Sequence, residues 1–139
     1  MVITKRLKLK TQGETDIINI TERVARLLTA AKLRDGIVTV FIPGATGGLT
    51  TIEYESGLLE DLKAAFERFA PRDGKYAHNL KWGDENGFSH VRAAFLGPSI
   101  SIPFSGGNLI LGKWQQVVFI DFDNRPRSRE LIVQFVGEK

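Results

Sequence analysis

Residues 114–136 read WQQVVFIDFDNRPRSRELIVQFV, and this stretch decides the fold class. Trp114 to Asp123 and Leu131 to Val136 are rich in β-branched and aromatic residues, the composition of strands. Asn124-Arg125-Pro126-Arg127 between them suits a turn, so the pair reads as a hairpin. The same texture continues upstream. Ser99 to Phe104 and Leu109 to Gly112 are two further strand candidates, and Ser105-Gly106-Gly107-Asn108 supplies the turn joining them. Four strand-like segments therefore fill the C-terminal third.

The N-terminal half mixes both periods. Ile3 to Lys10 alternates Leu7 and Leu9 with Arg6, Lys8 and Lys10, a strand pattern. Thr11 to Glu14 reads as a turn and Asp16 to Ile20 as a return strand. Thr21 is the expected N-cap of a helix over residues 22–33, because its hydroxyl can accept a backbone N–H of the first turn. Val24, Leu27, Leu28 and Ala31 recur at helical spacing there. Ile37 to Ile42, bounded by Gly36 and Pro43, reads as a buried strand, and Leu49 to Tyr54 is extended. Leu58, Leu62, Ala65, Phe66 and Phe69 line a second helix, which Pro71 ends. Arg72 to Asn86 has no period, and Val91 to Leu96 fits a short helix or a strand equally. Two helices beside six to eight mostly hairpin-connected strands make an α+β domain with a largely antiparallel sheet. The strands between Ile100 and Val136 fit part of a barrel or of a sandwich.

The 139 residues point to one domain, 1–139. Cysteine is absent, which excludes disulfides, thiolate nucleophiles and Cys-based zinc sites. Any metal must rest on His, Asp, Glu, Asn or carbonyl oxygen. The charged and apolar alternation at the N-terminus is not a signal peptide, and no apolar run approaches a membrane span. The expectation is a cytoplasmic protein without a membrane partner. A net charge of +3 suits a small anionic ligand but is too weak to argue for nucleic acid.

Chemistry concentrates between His78 and Arg92. Both histidines of the chain, His78 and His90, lie here with Asp84, Glu85, Asn86 and Arg92. Histidine titrates near neutral pH and is the commonest metal ligand. Eleven residues separate the two, and the intervening Gly, Asp and Asn let the segment fold back, so their rings are expected to converge. The plainer alternative is one histidine on a backbone carbonyl and one in solvent. Arg125, Arg127 and Arg129 alternate, so an extended chain turns them to one side, where guanidiniums can bind phosphate or simply keep a sheet edge solvated. Thr46, Thr50, Thr51 and Glu53 flank the glycine loop 44–48. Its N–H groups can nest an anion and Glu53 can act as a base, although a tight turn walling the site is the simpler reading. Trp114 is expected in the core, and one amide of Gln115-Gln116 must face inward or toward a neighbouring subunit.

These segments together resemble the YjbQ-like family, described as secondary thiamine-phosphate synthases. The resemblance is carried by Val40-Phe41-Ile42-Pro43-Gly44-Ala45-Thr46, Leu49-Thr50-Thr51-Ile52-Glu53-Tyr54-Glu55, Tyr76-Ala77-His78 and Trp82 through Ala94. Leu96-Gly97-Pro98-Ser99, Leu109 through Gln116 and Asp121 through Arg127 complete it. It implies a two-layer α+β fold, a homotrimer, and a site lined by His78, His90, Asp84, Asn86 and the loop before Glu53. It also implies a divalent metal, zinc or magnesium, on the histidines. Many members have a His-Thr-Ser/Thr-Ala loop where this chain has Gly44-Ala45-Thr46-Gly47. Gly44 thus stands where a third histidine ligand would, as it does in a second branch of the family. The implied activity joins an aminopyrimidine diphosphate to a thiazole phosphate. His90, His78, Asp84 and Glu53 are then the catalytic candidates, and Asn86, Arg92, Thr46 and Arg127 the ligand-binding ones. The alternative is a non-catalytic homo-oligomer that binds a small ligand or metal.

Overall fold

Strict alternation builds the larger sheet. In β8 (Arg127–Glu138), Leu131, Val133 and Phe135 are fully buried while Gln134 and Val136 face solvent. The computed structural model describes all residues, Met1–Lys139. β8 pairs with β1 (Val2–Thr11) on one side and β3 (Asp35–Phe41) on the other. Beyond β3 come β5 (Ser99–Ser105) and the two-residue β6 (Asn108–Leu109), giving the order β1-β8-β3-β5-β6. A second sheet has the order β2 (Asp16–Asn19), β7 (Gln116–Asp121), β4 (Gly47–Ile52). All pairings are antiparallel, as expected for the α+β class.

The two sheets face each other across one apolar cluster. Val38, Val40, Ile102, Leu131, Val133 and Phe135 meet Val117, Phe119 and Leu49 there. Helix α1 (Thr21–Ala31) adds Val24, Leu28 and Ala31 to it. The far face of the smaller sheet carries Val118, Ile120 and Ile17, which pack with Phe122, Phe66 of α2 (Ser56–Phe69) and Ala93 of α4 (Gly87–Leu96). β7 is therefore buried on both faces, which is why Val117-Val118-Phe119-Ile120 is a continuous apolar run rather than an alternating one. No helix is long and apolar enough to cross a membrane.

Several expectations are corrected. β2 does not return along β1 but pairs with β7. Gly13 takes a left-handed φ of 76° at the point where the chain leaves one sheet for the other, and Glu14 N–H is accepted by the carbonyl of Asp123. Residues 124–127 likewise carry the chain between sheets, since β7 and β8 are not neighbours. Thr21 is the first helical residue of α1, not its N-cap. Asn19 Oδ1 accepts the Thr21 N–H at 3.0 Å, and the Thr21 hydroxyl accepts the Val117 N–H at 2.7 Å. The aperiodic segment contains helix α3 (Ala77–Trp82), and Val91 to Leu96 belongs to α4. Pairing beyond Ser105-Asn108 ends at Leu109, so Ile110 to Gly112 is not strand. Trp114 is exposed rather than core. Gln115 bonds Thr51 and Gln116 accepts from Asn19 within the chain.

Candidate functional site

Helices α3 and α4 form a hairpin, and their mutual lock brings the histidines together. Gly83 ends α3 in the left-handed conformation. Asn79 Oδ1 then accepts the N–H of Gly87, the first residue of α4, at 2.9 Å. A methyl group on Gly87 would stand 2.6 Å from the Tyr76 side chain, so the absence of a side chain there permits the close approach. The rings of His78 and His90 consequently lie 4.3 Å apart between centroids, tilted by 39°. Asp84 in the connecting loop puts a carboxylate oxygen 3.9 Å from His78 Nδ1, and Asn124 Nδ2 donates to the Asp84 carbonyl at 2.8 Å. The expected convergence is what the structure has.

His90 also walls a shallow cleft of about 350 Å3 with Gly44, Ala45, Gly47, Ala93, Ala94 and Pro98. Burial, followed by the neighbouring His78, holds the His90 pKa below its ordinary value, while Asp84 and Asp123 pull it back up. A wider depression of about 470 Å3 between Lys8, Lys10, Ser128 and Glu130 lies on the solvent face of the larger sheet and holds neither histidine.

Beneath the histidines is a buried ion-pair network. Asp123, fully buried, accepts from Asn86 Nδ2 at 3.2 Å, Asn124 N–H at 2.8 Å and Arg127 Nε at 2.7 Å. Asp121 accepts both Nε and Nη2 of Arg129, at 2.8 and 2.9 Å, and the Thr11 hydroxyl at 2.6 Å. Thr46 Oγ1 accepts from Arg129 Nη2 at 2.7 Å and donates to Asp123 at 3.5 Å. Burial pushes the Asp123 carboxyl up, but its bonds to Asn86, Arg127 and Asn124 outweigh that and leave it below its ordinary value. The bond to Asp121 raises Arg129. Asp121 and Asp123 were not among the expected site residues, and Arg129, expected to face a phosphate, instead faces Asp121. Their signal was period two: Asp121-Phe122-Asp123 places both carboxylates on one side and Phe122 on the other, and Arg127 and Arg129 alternate likewise.

The structure does not bring every expected residue to this place. Arg92 lies two residues beyond His90, roughly 200° around the helix, and faces away. Its guanidinium donates to Ala70 O, Thr15 Oγ1 and Glu67 Oε2 at 2.8–2.9 Å and lies over the Phe88 ring. Glu53 is exposed just past the far end of β4, roughly 20 Å along the strand from Gly47. Thr46 is buried in the network instead of the cleft lining. Arg127 is tied to Asp123 and borders a different depression with Lys10 and Gln12, while Arg125 is exposed. The three arginines of the turn therefore do not converge on one ligand.

Two buried side-chain polar atoms have no protein partner, His78 Nδ1 and Asn86 Oδ1. Both belong to this site. No three of His, Cys, Asp and Glu cluster closely enough to enclose a metal by themselves.

Residues 5–138 match the family of UPF0047 protein YjbQ-like chains. A UPF0047 protein of Archaeoglobus fulgidus is 40% identical over 128 residues, 92% of this chain and 97% of the relative. A crystal structure of a YbjQ-like protein of unknown function from Sulfolobus solfataricus superposes with a TM-score of 0.94 at 27% identity, covering 99% of both chains. A YjbQ/UPF0047 family protein of Clostridium acetobutylicum gives 0.87 at 30% identity, covering 95% of this chain and 99% of that one.

Proposed function

This chain belongs to the UPF0047 YjbQ-like family, and from that premise we propose that its His78–His90 pair holds a divalent cation that receives a small phosphorylated substrate. The observation that carries the reading is the coincidence of the two facing imidazoles with the unpartnered His78 Nδ1 and Asn86 Oδ1. Imidazole nitrogens suit zinc, whereas magnesium prefers an all-oxygen shell with several waters, so zinc fits the donors better. His78 and His90 would supply nitrogen, and Asn86 Oδ1 or the Asp84 carboxylate oxygen. Gly44 has no side chain to add, which leaves room for substrate oxygen in the remaining coordination.

Charge bookkeeping supports the cation. Arg92, Arg127 and Arg129 each face a carboxylate of this chain, and the cleft lining contains no lysine or arginine. A bare phosphate would meet no uncommitted positive group there. The reaction to test first is thiamine-phosphate synthesis, in which a thiazole ring nitrogen bonds the pyrimidine methylene carbon and the carbon–oxygen bond to diphosphate breaks. A bound dication would neutralise the charge that grows on the departing diphosphate. The chain's own contribution is to hold the cation with His78, His90 and Asn86, and Ala93, Ala94 and Pro98 form an apolar wall of the cleft beside it. A non-catalytic cation- or ligand-binding oligomer is favoured instead by the shallowness of the cleft, which no lid covers.

Metal analysis of the protein purified without chelator, followed by zinc titration, tests the cation. His78→Ala and His90→Ala should each remove zinc binding while leaving the circular dichroism spectrum intact. Thiamine phosphate formed from the two phosphorylated precursors by wild type but not by folded His90→Ala supports the enzyme. Binding without turnover supports the oligomeric binder, and wild-type zinc affinity in both alanine variants overturns the site.

A further inference from the structure

We infer that Asp123, a residue outside the cleft, is the positioning residue that fixes the Asn86 side-chain amide so that its carbonyl oxygen, not its amino group, is presented to the site. The inference rests on the histidine cation site proposed above and adds what makes that site selective for a cation.

The chain of reasoning starts with Asp123 itself. It is fully buried, and Arg127 reaches its Oδ2 through both Nε and Nη2 at 2.7 Å. A carboxylate held this way is ionised and can only accept hydrogen bonds. The Asn86 group 3.2 Å from Asp123 Oδ1 must therefore be the amino group. An amide is planar with oxygen and nitrogen on opposite sides, so Oδ1 is turned away from Asp123. That oxygen is buried and finds no donor in the protein.

Its direction is set by the helix. The Asn86 backbone carbonyl accepts from Ser89 N–H, Ser89 Oγ and His90 N–H at 2.6–3.4 Å, which fastens Asn86 as the N-cap of α4. Asn86 thus caps the turn of α4 from which His90 projects. The site combines the two facing imidazoles with an acceptor-only oxygen at the cap of the helix that carries His90. That set welcomes a cation or a donor group, and it would repel a bare phosphate oxygen. If the amide could turn, its amino group would replace the oxygen and repel a cation. Asp123 removes that alternative, as outer partners of metal ligands commonly do. Thr46 and Asn124 brace the same carboxylate, so the glycine loop and the β7–β8 crossover are tied to this one orientation.

The test uses Zn2+ alone as the probe, with affinity read by competition against a chromophoric chelator. Asp123→Asn is isosteric and lets the amide turn, and it should weaken zinc binding roughly 10–100-fold. The exchange Asn86→Asp with Asp123→Asn restores one donor facing one acceptor, and it should recover most of the affinity. A merely structural Asp123 would show no such rescue. Independently, the Asn86 side-chain amide protons of the zinc-free wild type should be protected from hydrogen exchange and lose that protection in Asp123→Asn. Should Asp123→Asn fail to fold, Asn86→Ala leaves the Asp123–Arg127 pair in place; it should lower the melting temperature, because a buried donor to Asp123 is lost, and the fraction that remains folded should lose zinc affinity. Wild-type zinc affinity in folded Asp123→Asn or Asn86→Ala overturns the inference, as does an unprotected Asn86 amide in the wild type. Absence of zinc binding by the wild type, with no effect of His90→Ala, sinks the cation site instead. The amide measurement then still decides whether Asp123 fixes Asn86.

Discussion

His90 and Arg92 stand two residues apart on α4 and play opposite parts. His90 is half-buried against His78, and burial first, then the like charge of a protonated His78, lowers its pKa. In metal-free protein its imidazole proton signals should titrate below 6.5, and His78→Ala should move the midpoint upward. The unfolded chain binds this proton more tightly than the folded one, so stability rises with pH through this window. The contribution is complete above the unfolded value near 6.5 and is lost as pH falls toward the lower folded value. A midpoint above the ordinary histidine range would contradict the burial argument. Arg92 is different in kind, because all its hydrogen-bonding is internal. Arg92→Leu leaves the Ala70 carbonyl and the Thr15 hydroxyl without their donor and should cost about 2–4 kcal/mol in urea unfolding. Zinc affinity of the folded fraction should not change. A loss of affinity without loss of stability would return Arg92 to the ligand site.

Between elements, the placement of α4 on β4 decides where His90 points. A methyl group on Gly48 would meet Leu96 Cδ2 at 2.7 Å and the Gly97 carbonyl at 3.0 Å. Leu49 N–H donates to that same carbonyl at 3.1 Å, so the backbone there cannot retreat freely. Gly48→Ala should therefore cost about 1–3 kcal/mol by overpacking and shift the His90 imidazole resonances. An unperturbed His90 with an unchanged melting temperature would show that α4 is not seated by this contact. This is also where reading the sequence reached its limit. Period two in β1, the β-rich composition of β5 and β8, and period 3.6 in α1 and α2 are properties of single elements, and those elements formed. The expected hairpins at 11–14 and 124–127 did not, because both turns pass between sheets, and a turn's composition does not say which strand follows as neighbour. Within the site, the two histidines were legible because Gly83 and the surrounding Asp and Asn allow a tight reversal. Arg92 and Glu53 were misplaced because sequence proximity carries no helical phase and no strand end. Period two puts Asp121 and Asp123 on one side of the strand, but that alone does not say that Arg127 and Asn86 meet Asp123 there.

For the whole molecule, two of the exposed apolar surfaces lie on different faces, and their separation bears on how copies would associate. On the outer face of the larger sheet, Val2, Val136, Ile37 and Pro103 stand in one cross-strand row by register, and the first three are more than half exposed. On the helical side, the rings of Phe69 and Phe95 meet tilted with centroids 5.2 Å apart, Phe95 being 76% exposed. Ala94, next to Phe95, lines the His90 cleft. Distinct patches suit a head-to-tail contact, and such contacts close into rings when the rotation permits. A homotrimer, which the resemblance to the family implies, is one ring that such a contact can close. A partner seated against Phe95 would also wall the open cleft that one chain cannot enclose. Arg127 is bound to Asp123 of its own chain, so it is not free to reach the cleft of a neighbouring copy. Light scattering of the wild type at micromolar concentration should give three times the chain mass, and a monomer would refute the ring. Ile37→Lys and Phe95→Lys each spoil one patch and should each give monomers. Mixed in equal amounts, they still share one intact pairing, the sheet face of Phe95→Lys against the helical face of Ile37→Lys. The mixture should therefore scatter as a dimer of unlike chains and go no further. A two-fold contact made by the sheet face alone would instead leave Phe95→Lys assembled as in the wild type.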